Sequence, residues 1–312
     1  MMNKFEDREK TFEKKFANDQ EVQFKVNARR NKYLGEWAAL KLGKSGEEVE
    51  TYIQEVIKSD FQEPGDEDVF KKIKKDFESA KINIEDNVII GDQTTIGNNN
   101  TICNGTTIGS NCKIFHNSSL GEIPQDMKYD GENTKTIIGD NVTVRESVTI
   151  NRGTKAFGKT IVGDNVLLMT GTHVAHDCIV GNNVVMANLA TLGGHVEVGD
   201  WSNIGGGVMV HQFVKVGTQS LIGGGFTAKQ DVPPYIIVSG APLRFVGINK
   251  VGLERRGFDK ETRDVIKKAY RTYFVSKLNR GQALDYIRKR MPQIEEIKNI
   301  IDFIDLSERG II

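Results

Sequence analysis

From Ile84 onward an aliphatic residue returns at every sixth position. The series runs Ile84, Ile90, Ile96, Ile102, Ile108, Ile114 and Leu120, then Ile138, Val144 and Ile150. It continues through Val162, Leu168, Val174, Val180, Met186, Leu192, Val198, Ile204, Val210, Val216 and Ile222. Glycine often follows, as in Ile90-Gly91, Ile108-Gly109, Val162-Gly163 and Val180-Gly181. Ordinary strand alternation has period two and would not keep a single phase across both gaps. A hexad repeat has one good physical solution, a parallel β-helix. Each hexad supplies a short strand and a turn, and three hexads close a triangular coil of about eighteen residues with the repeated side chain inside. The 21 hexads make about seven coils. At roughly 4.8 Å per rung, that is a prism about 34 Å long. The repeat does not fix handedness; the general crossover rule favours right-handed connections.

Two stretches break the register and restore it afterwards, GEIPQDMKYDGENTKT at 121–136 and NRGTKAFGKT at 151–160. Insertions that preserve a solenoid's phase are loops on its outside, and such loops commonly carry function. Before the repeat, Val49, Tyr52, Ile53, Val56 and Ile57 lie on one helical face, with breakers at Gly43 to Gly46 and at Glu63-Pro64-Gly65-Asp66. Pro233-Pro234 is expected to end the repeat, since proline donates nothing to a ladder. Helical spacing then returns at Ile266, Ala269, Tyr270, Tyr273 and Phe274, and at Leu284, Ile287 and Met291. The expected organisation is a helical extension over 1–81, a catalytic β-helix over 82–240 and a C-terminal helical domain over 241–312.

The 42 basic residues balance the 42 acidic ones, so no general polyanion affinity and no nucleic-acid partner is implied. No apolar run of membrane-spanning length and no signal-peptide pattern is present, so a soluble, cytoplasmic protein is expected, without membrane insertion. Cys103, Cys112 and Cys178 are too few and too isolated for a disulfide framework and read as small core residues.

Four of the five histidines fall between His173 and His211. His176 and His195 are nineteen residues apart and His195 and His211 sixteen, so successive coils should bring imidazoles to one corner, within roughly 5–10 Å by rung spacing. None lies in the inward phase. Surface histidines, a metal site and a general base all fit that placement. The three-residue gap between His173 and His176 makes no evident ligand pair. Asp177, beside His176 in HVAHDC, could orient an imidazole and stabilise its cation.

The motifs IPQDMKYDGE, VRESVTINRGT, HVAHDCIVGN, LGGHVEVGD, GGGVMVHQF, VPPYIIVSG and GLERRGF occur in order over about residues 84–312. Together they resemble the acyl-carrier-protein-dependent UDP-N-acetylglucosamine O-acyltransferases of lipid A biosynthesis, members of the hexapeptide-repeat transferases. The resemblance implies a left-handed β-helix with a helical C-terminal domain, working as a homotrimer with sites between neighbouring prisms. It implies transfer of a 3-hydroxyacyl group to the glucosamine 3-hydroxyl, with the acyl group carried on the phosphopantetheine arm of acyl carrier protein and no cofactor or metal of the enzyme's own. His176 would be the general base, Asp177 its partner and the Gly194 amide the oxyanion donor. Gln125, Asp126, Lys128, His173, His195, His211, Gln212, Asn249, Arg255 and Arg256 would bind the nucleotide sugar or the acyl donor. Met169 and Gly224 would line the groove that limits acyl length. Asn151 and Val251 depart from the pattern, standing where some members have a histidine and an acid. From Leu243 to Arg290 there are fourteen Lys or Arg against five Asp or Glu, a basic surface suited to an acidic carrier protein.

Residues 3–77, from FEDREKTFEKKF to KKIKKDF, resemble the zeta inhibitor subunit of alphaproteobacterial ATP synthases, without that family's further helix. Two alternatives to O-acyl transfer follow: an N-acyltransferase of the same fold acting on an amino sugar, or an ATP synthase inhibitor acting through the N-terminal segment.

Overall fold

A computed structural model describes residues 22, 24–60, 67–85 and 87–312. The start of the inhibitor-like segment and the Glu63–Asp66 breaker lie outside the described residues. The chain divides into two compact units, residues 1–81 and 82–312.

In the first unit, residues 24–41 are helical, followed by helices Glu47–Ser59 and Glu67–Ser79. The middle helix buries Tyr52, Ile53 and Val56, the centre of the expected apolar face. The Tyr52 hydroxyl donates to Asp76 at 2.8 Å, which ties the middle helix to the last one.

The second unit is a triangular parallel β-helix. Its strands form three sheets of eight, seven and nine strands, and as far as Met209–Val210 each strand pairs with the strand three places further along the chain. The register confirms the coil length: Val174 sits opposite Leu192, Val180 opposite Val198 and Met186 opposite Ile204. Every repeated residue from Ile96 to Ile222 is at most 3 % exposed. Burying an aliphatic side chain of this size is worth about 1.5–3 kcal/mol, so this column is the main source of the fold's stability.

The glycine after the aliphatic residue has a local cause. At the turn from the second sheet to the third, side-chain oxygens of Asp140, Asp164, Asn182 and Asp200 each accept from the backbone N–H of the preceding coil, at 2.7–2.8 Å. A Cβ on Gly139 would lie 2.2 Å from Asp164 Oδ1, and one on Gly181 would lie 2.3 Å from Asp200 Oδ1. Glycine keeps the ladder open. Three residues after most aliphatic positions the backbone turns left-handed, and Asn99, Asn111, Asn117, Asn141, Asn165 and Asn183 fill that place, as suits a residue that tolerates positive φ.

The hexad phase slips by two residues just before Pro233-Pro234, where Val216 bridges Val232, and the coil continues past the prolines. Strand Ile236–Ser239 follows the prolines and pairs in parallel with Leu221–Ile222, and strand Arg244–Ile248 then folds back antiparallel on it. The prolines are tolerated because they occupy a corner. Pro234 N lies 2.4 Å from where a Cβ on Gly217 would be, so glycine makes the room.

Helices Lys250–Arg255, Lys260–Phe274, Arg280–Arg290 and Glu295–Asp305 complete the chain. Ile266, Ala269, Tyr270 and Tyr273 are buried as their spacing requires. The fully buried Tyr270 donates its hydroxyl to the Pro234 carbonyl at 2.6 Å, locking the helical domain onto the last coil. Cys103, Cys112 and Cys178 are buried, and burial pushes the Cys178 thiol up to about 12, which makes it unreactive.

Candidate active site

Both insertions and three histidines share one corner of the prism, the turn from the first sheet to the second. The first insertion joins Ser119–Glu122 to Lys135–Ile138, and the second joins Thr149–Asn151 to Lys159–Val162. The strands that receive them pair over all four residues, Lys135 to Lys159 through Ile138 to Val162. His176, His195 and His211 follow first-sheet strands in the next three coils.

A period of eighteen sorts the corner into two columns. His176, Gly194 and Gln212 form one; Asp177, His195 and Phe213 form the other, all three at positive φ. In the first column a Cβ on Gly194 would lie 2.6 Å from His176 Cε1 and 2.7 Å from Nε2, so only glycine admits the ring. In the second, His195 stacks on Phe213 with centroids 4.5 Å apart and planes 5° from parallel. The His176 and His195 rings meet edge to face at 5.2 Å. The one-residue offset between the two histidines thus puts His195 over Asp177 rather than over His176.

The Asp177 side chain is fully buried. Its Oδ2 lies 2.9 Å from His176 Nδ1 and 3.7 Å from His195 Nε2. An ionised carboxylate only accepts, so Nδ1 carries the hydrogen and Nε2 is left as a base. The Gly194 N–H, beside that ring, has no protein acceptor among the described residues. His173 lies on the strand before, with Nδ1 2.7 Å from Thr149 Oγ1; burial, then the neighbouring His176, lowers its pKa. Burial also lowers that of His195, against the pull of Asp177 and of Asp126 from the first insertion. Asp126 therefore reaches this corner, whereas Gln125 and Lys128 stand exposed on the same loop. The donor atoms of His176, Asp177 and His195 lie within 4.8 Å of one another, near enough for a cation. However, Asp177 already accepts from the Thr154 N–H and hydroxyl as well as facing His176.

The comparisons with known proteins bear on the whole second unit. The chain is 46 % identical over 229 residues to an acyl-[acyl-carrier-protein]--UDP-N-acetylglucosamine O-acyltransferase of Thermodesulfovibrio yellowstonii, covering 73 % of this chain and 89 % of that one. The chain belongs to the UDP-N-acetylglucosamine O-acyltransferase family. Solved acyltransferases of this name agree. That of Bacteroides fragilis is 41 % identical with a TM-score of 0.71, over 74 % of this chain and 98 % of that one. That of Campylobacter jejuni is 37 % identical with a TM-score of 0.70, over 74 % and 90 %. Family models described as bacterial transferase hexapeptide and as UDP-N-acetylglucosamine O-acyltransferase domain 2 match residues 159–194 and 231–312. Residues 82–312 are thus the left-handed hexapeptide β-helix and helical domain of an acyltransferase. A model described as ATPase inhibitor subunit zeta matches residues 2–95. Its last part falls on strands of the first coil, Asn83–Ile84 and Ile89–Ile90, rather than on a further helix.

Other residues expected to serve the acyltransferase lie elsewhere. Arg256 sits at the next corner, between the second and third sheets, over the Trp201 ring at 4.9 Å and donating to Gln219 Oε1 at 3.2 Å. Asn249 is 4 % exposed; its side chain caps helix Lys250–Arg255 and donates to the Gln219 carbonyl at 2.9 Å. Arg255 and Val251 are exposed on that helix. Met169 and Gly224 lie at the third corner, at the far edge of the face that carries His173. Gly224 faces Gly206, whose carbonyl would lie 3.0 Å from an added Cβ.

Sequence reasoning missed three residues at the first corner. Arg309 reaches His211 Nδ1 at 3.0 Å from the C-terminal tail, beside the Gln212 carbonyl 3.2 Å from the same nitrogen. Arg152 donates from Nε to the Gly121 carbonyl at 2.7 Å, and Thr154 holds Asp177. Asn151 donates to the Ile123 carbonyl at 2.9 Å, so the departure from histidine falls on a residue that holds the first insertion. Only the NRGT motif signalled any of these; nothing in the sequence pointed to Arg309.

Proposed function

We propose that this enzyme transfers a 3-hydroxyacyl group from acyl carrier protein to the 3-hydroxyl of UDP-N-acetylglucosamine, with His176 as general base. The carrying observation is the 2.9 Å contact between His176 Nδ1 and the buried Asp177 carboxylate, which leaves Nε2 as the acceptor beside Gly194. Nε2 takes the hydroxyl proton as the sugar oxygen attacks the thioester carbon. The negative charge forms on the carbonyl oxygen, where the Gly194 N–H can donate to it. Collapse breaks the carbon–sulfur bond, and the imidazolium returns its proton to the departing thiolate. Asp177 steadies the imidazolium. Only a proton and an acyl group move, so the step calls for no cofactor.

The working unit in this reading is a homotrimer. Within one chain the histidines and Arg256 stand at opposite edges of the second sheet. The outward positions of that sheet include Ile137, Ile161 and Ile179, and those of the third sheet Leu167, Val185 and Leu221. Packing such faces around a three-fold axis would bring one copy's histidines toward another's Arg256, completing a site for sugar and diphosphate. The basic surface from Leu243 to Arg290 suits acyl carrier protein. Buried thiols suit a reducing, cytoplasmic setting.

His176→Ala tests the base. Turnover of UDP-N-acetylglucosamine with a 3-hydroxyacyl carrier should fall by about 10²–10⁴-fold with an unchanged melting temperature. Near-normal turnover would remove the assignment.

A further inference from the structure

The second insertion carries a residue that contacts the carboxylate behind His176. Thr154 is 7 % exposed and lies at the foot of that loop. Its backbone N–H donates to Asp177 Oδ1 at 2.9 Å and its hydroxyl to Asp177 Oδ2 at 2.7 Å. The same Oδ2 faces His176 Nδ1 at 2.9 Å. A second threonine, Thr160, accepts from the Asp177 backbone N–H at 2.9 Å. Asp177 has φ of 58°, a left-handed conformation that a non-glycine residue holds only when its surroundings fix it.

We infer that Thr154 is a positioning residue for the His176–Asp177 pair: its hydroxyl fixes the carboxylate oxygen that in turn fixes the imidazole. The inference rests on the general-base reading of His176. The Thr154 N–H holds Oδ1 and would do so in any variant, so the hydroxyl is what sets Oδ2, the oxygen that the imidazole follows. With the threonine hydroxyl on the other side, Oδ2 is held between two donors. Charge-assisted bonds of this length are among the stronger ones in proteins. A base displaced by a fraction of an ångström loses most of its efficiency.

The loop has a competing duty. Thr154 Oγ1 also accepts from the Ala156 N–H at 3.2 Å, and the Thr154 carbonyl accepts from the Gly158 N–H at 2.7 Å, so the residue shapes its own turn. Arg152 and Asn151, just before it, hold the first insertion through the Gly121 and Ile123 carbonyls. A merely structural role would therefore disturb the loop that carries Asp126 and raise KM for the sugar nucleotide. A positioning role lowers kcat and leaves KM alone.

The test compares Thr154→Ala, Thr154→Val and Thr154→Ser in the full chain, alongside His176→Ala. Expected for the alanine and valine variants is a fall of about 10–100-fold in kcat, with KM for UDP-N-acetylglucosamine within about twofold. Serine keeps the oxygen and should restore kcat to within about threefold. Alanine and serine differ by that one atom, so the comparison stands even if the valine variant folds poorly. Equal impairment by serine and alanine, or a rise in KM without loss of kcat, would overturn the inference. So would near-normal kcat in both hydroxyl-free variants while His176→Ala is inactive. Near-normal turnover in His176→Ala itself would instead remove the reading beneath it.

Discussion

Replacing Gly194 by alanine adds one methyl group and leaves its N–H in place, so it separates the fit of the base from the donor beside it. The added Cβ would lie 2.6 Å from His176 Cε1, 2.7 Å from Nε2 and 3.2 Å from Nδ1, where ordinary contact begins near 3.4 Å. One side must retreat by about 0.8 Å, the shortfall between 2.6 and 3.4 Å. The backbone is pinned: Gly193 donates to Val210, Phe213 to the Gly194 carbonyl and His195 to the His176 carbonyl, at 2.9–3.0 Å. The ring therefore moves. A shift of that size away from Gly194 cannot preserve both the 2.9 Å contact with Asp177 and the edge contact with His195 at 5.2 Å. A displacement of about 1 Å costs roughly 10²-fold in rate, or about 2.7 kcal/mol of barrier. Single-turnover acyl transfer followed by mass spectrometry would measure the loss, with thermal melting to confirm folding. Turnover within about threefold of wild type in a folded Gly194→Ala protein would refute the reasoning, because the ring would then have no need of its place.

Two further outcomes follow from the same geometry. Burial holds His173 below its ordinary value of 6.5, and His195 shifts the same way. The unfolded chain then takes up protons that the folded chain refuses, so stability present above about pH 6.5 drains away as the pH falls below it. Melting temperature should drop between about pH 7 and pH 5.5, and His173→Asn should flatten that dependence; an unaltered slope would show that His173 plays no part in it. Arg256→Ala removes the group stacked on Trp201 and bonded to Gln219. If Arg256 meets the nucleotide, KM for UDP-N-acetylglucosamine should rise about tenfold with kcat little changed; an unchanged KM would leave it a brace between helix and prism.

Much of the fold was legible because the solenoid is nearly one-dimensional. A period of six names the inward residues, and three hexads per coil name the neighbours, so Val174 against Leu192 needs no coordinates. The histidine corner was legible for the same reason, since His176, His195 and His211 recur about one coil apart. The finer register was available too: Gly194 follows His176 by eighteen residues, and so must lie against its ring. What the sequence did not show is contact across long separations. Arg309 is 98 residues from His211, and no periodicity links them. The reach of Thr154 to Asp177 crosses an insertion, where the register that makes the rest predictable is lost. The continuation past Pro233-Pro234 was missed because a proline at a corner costs no ladder bond, whereas one within a strand would.

The left-handed corner position explains why chemistry collects where it does. At that position asparagine or glycine satisfies the backbone at little cost, and most coils use one or the other. The exceptions are informative. Besides the scattered Gln93, Ser147 and Leu189, Asp177, His195 and Phe213 occupy it in three successive coils at the first corner, and Trp201 and Gln219 in two successive coils at the second. Any other side chain there carries a conformational penalty of about 1–3 kcal/mol, which the paired strands on either side can sustain because each coil is fixed by its neighbours. In return the side chain is aimed along the prism, so that residues eighteen apart meet face to face, as His195 and Phe213 do at 4.5 Å. The histidine column and the Trp201–Gln219 seat of Arg256 are thus two uses of one device. A change of one residue in length anywhere between Asp177 and Phe213 would dismantle the first while leaving a foldable strand pattern on either side. The insertions that the chain does carry fall before that stretch, at the two coils whose strands lengthen to receive them.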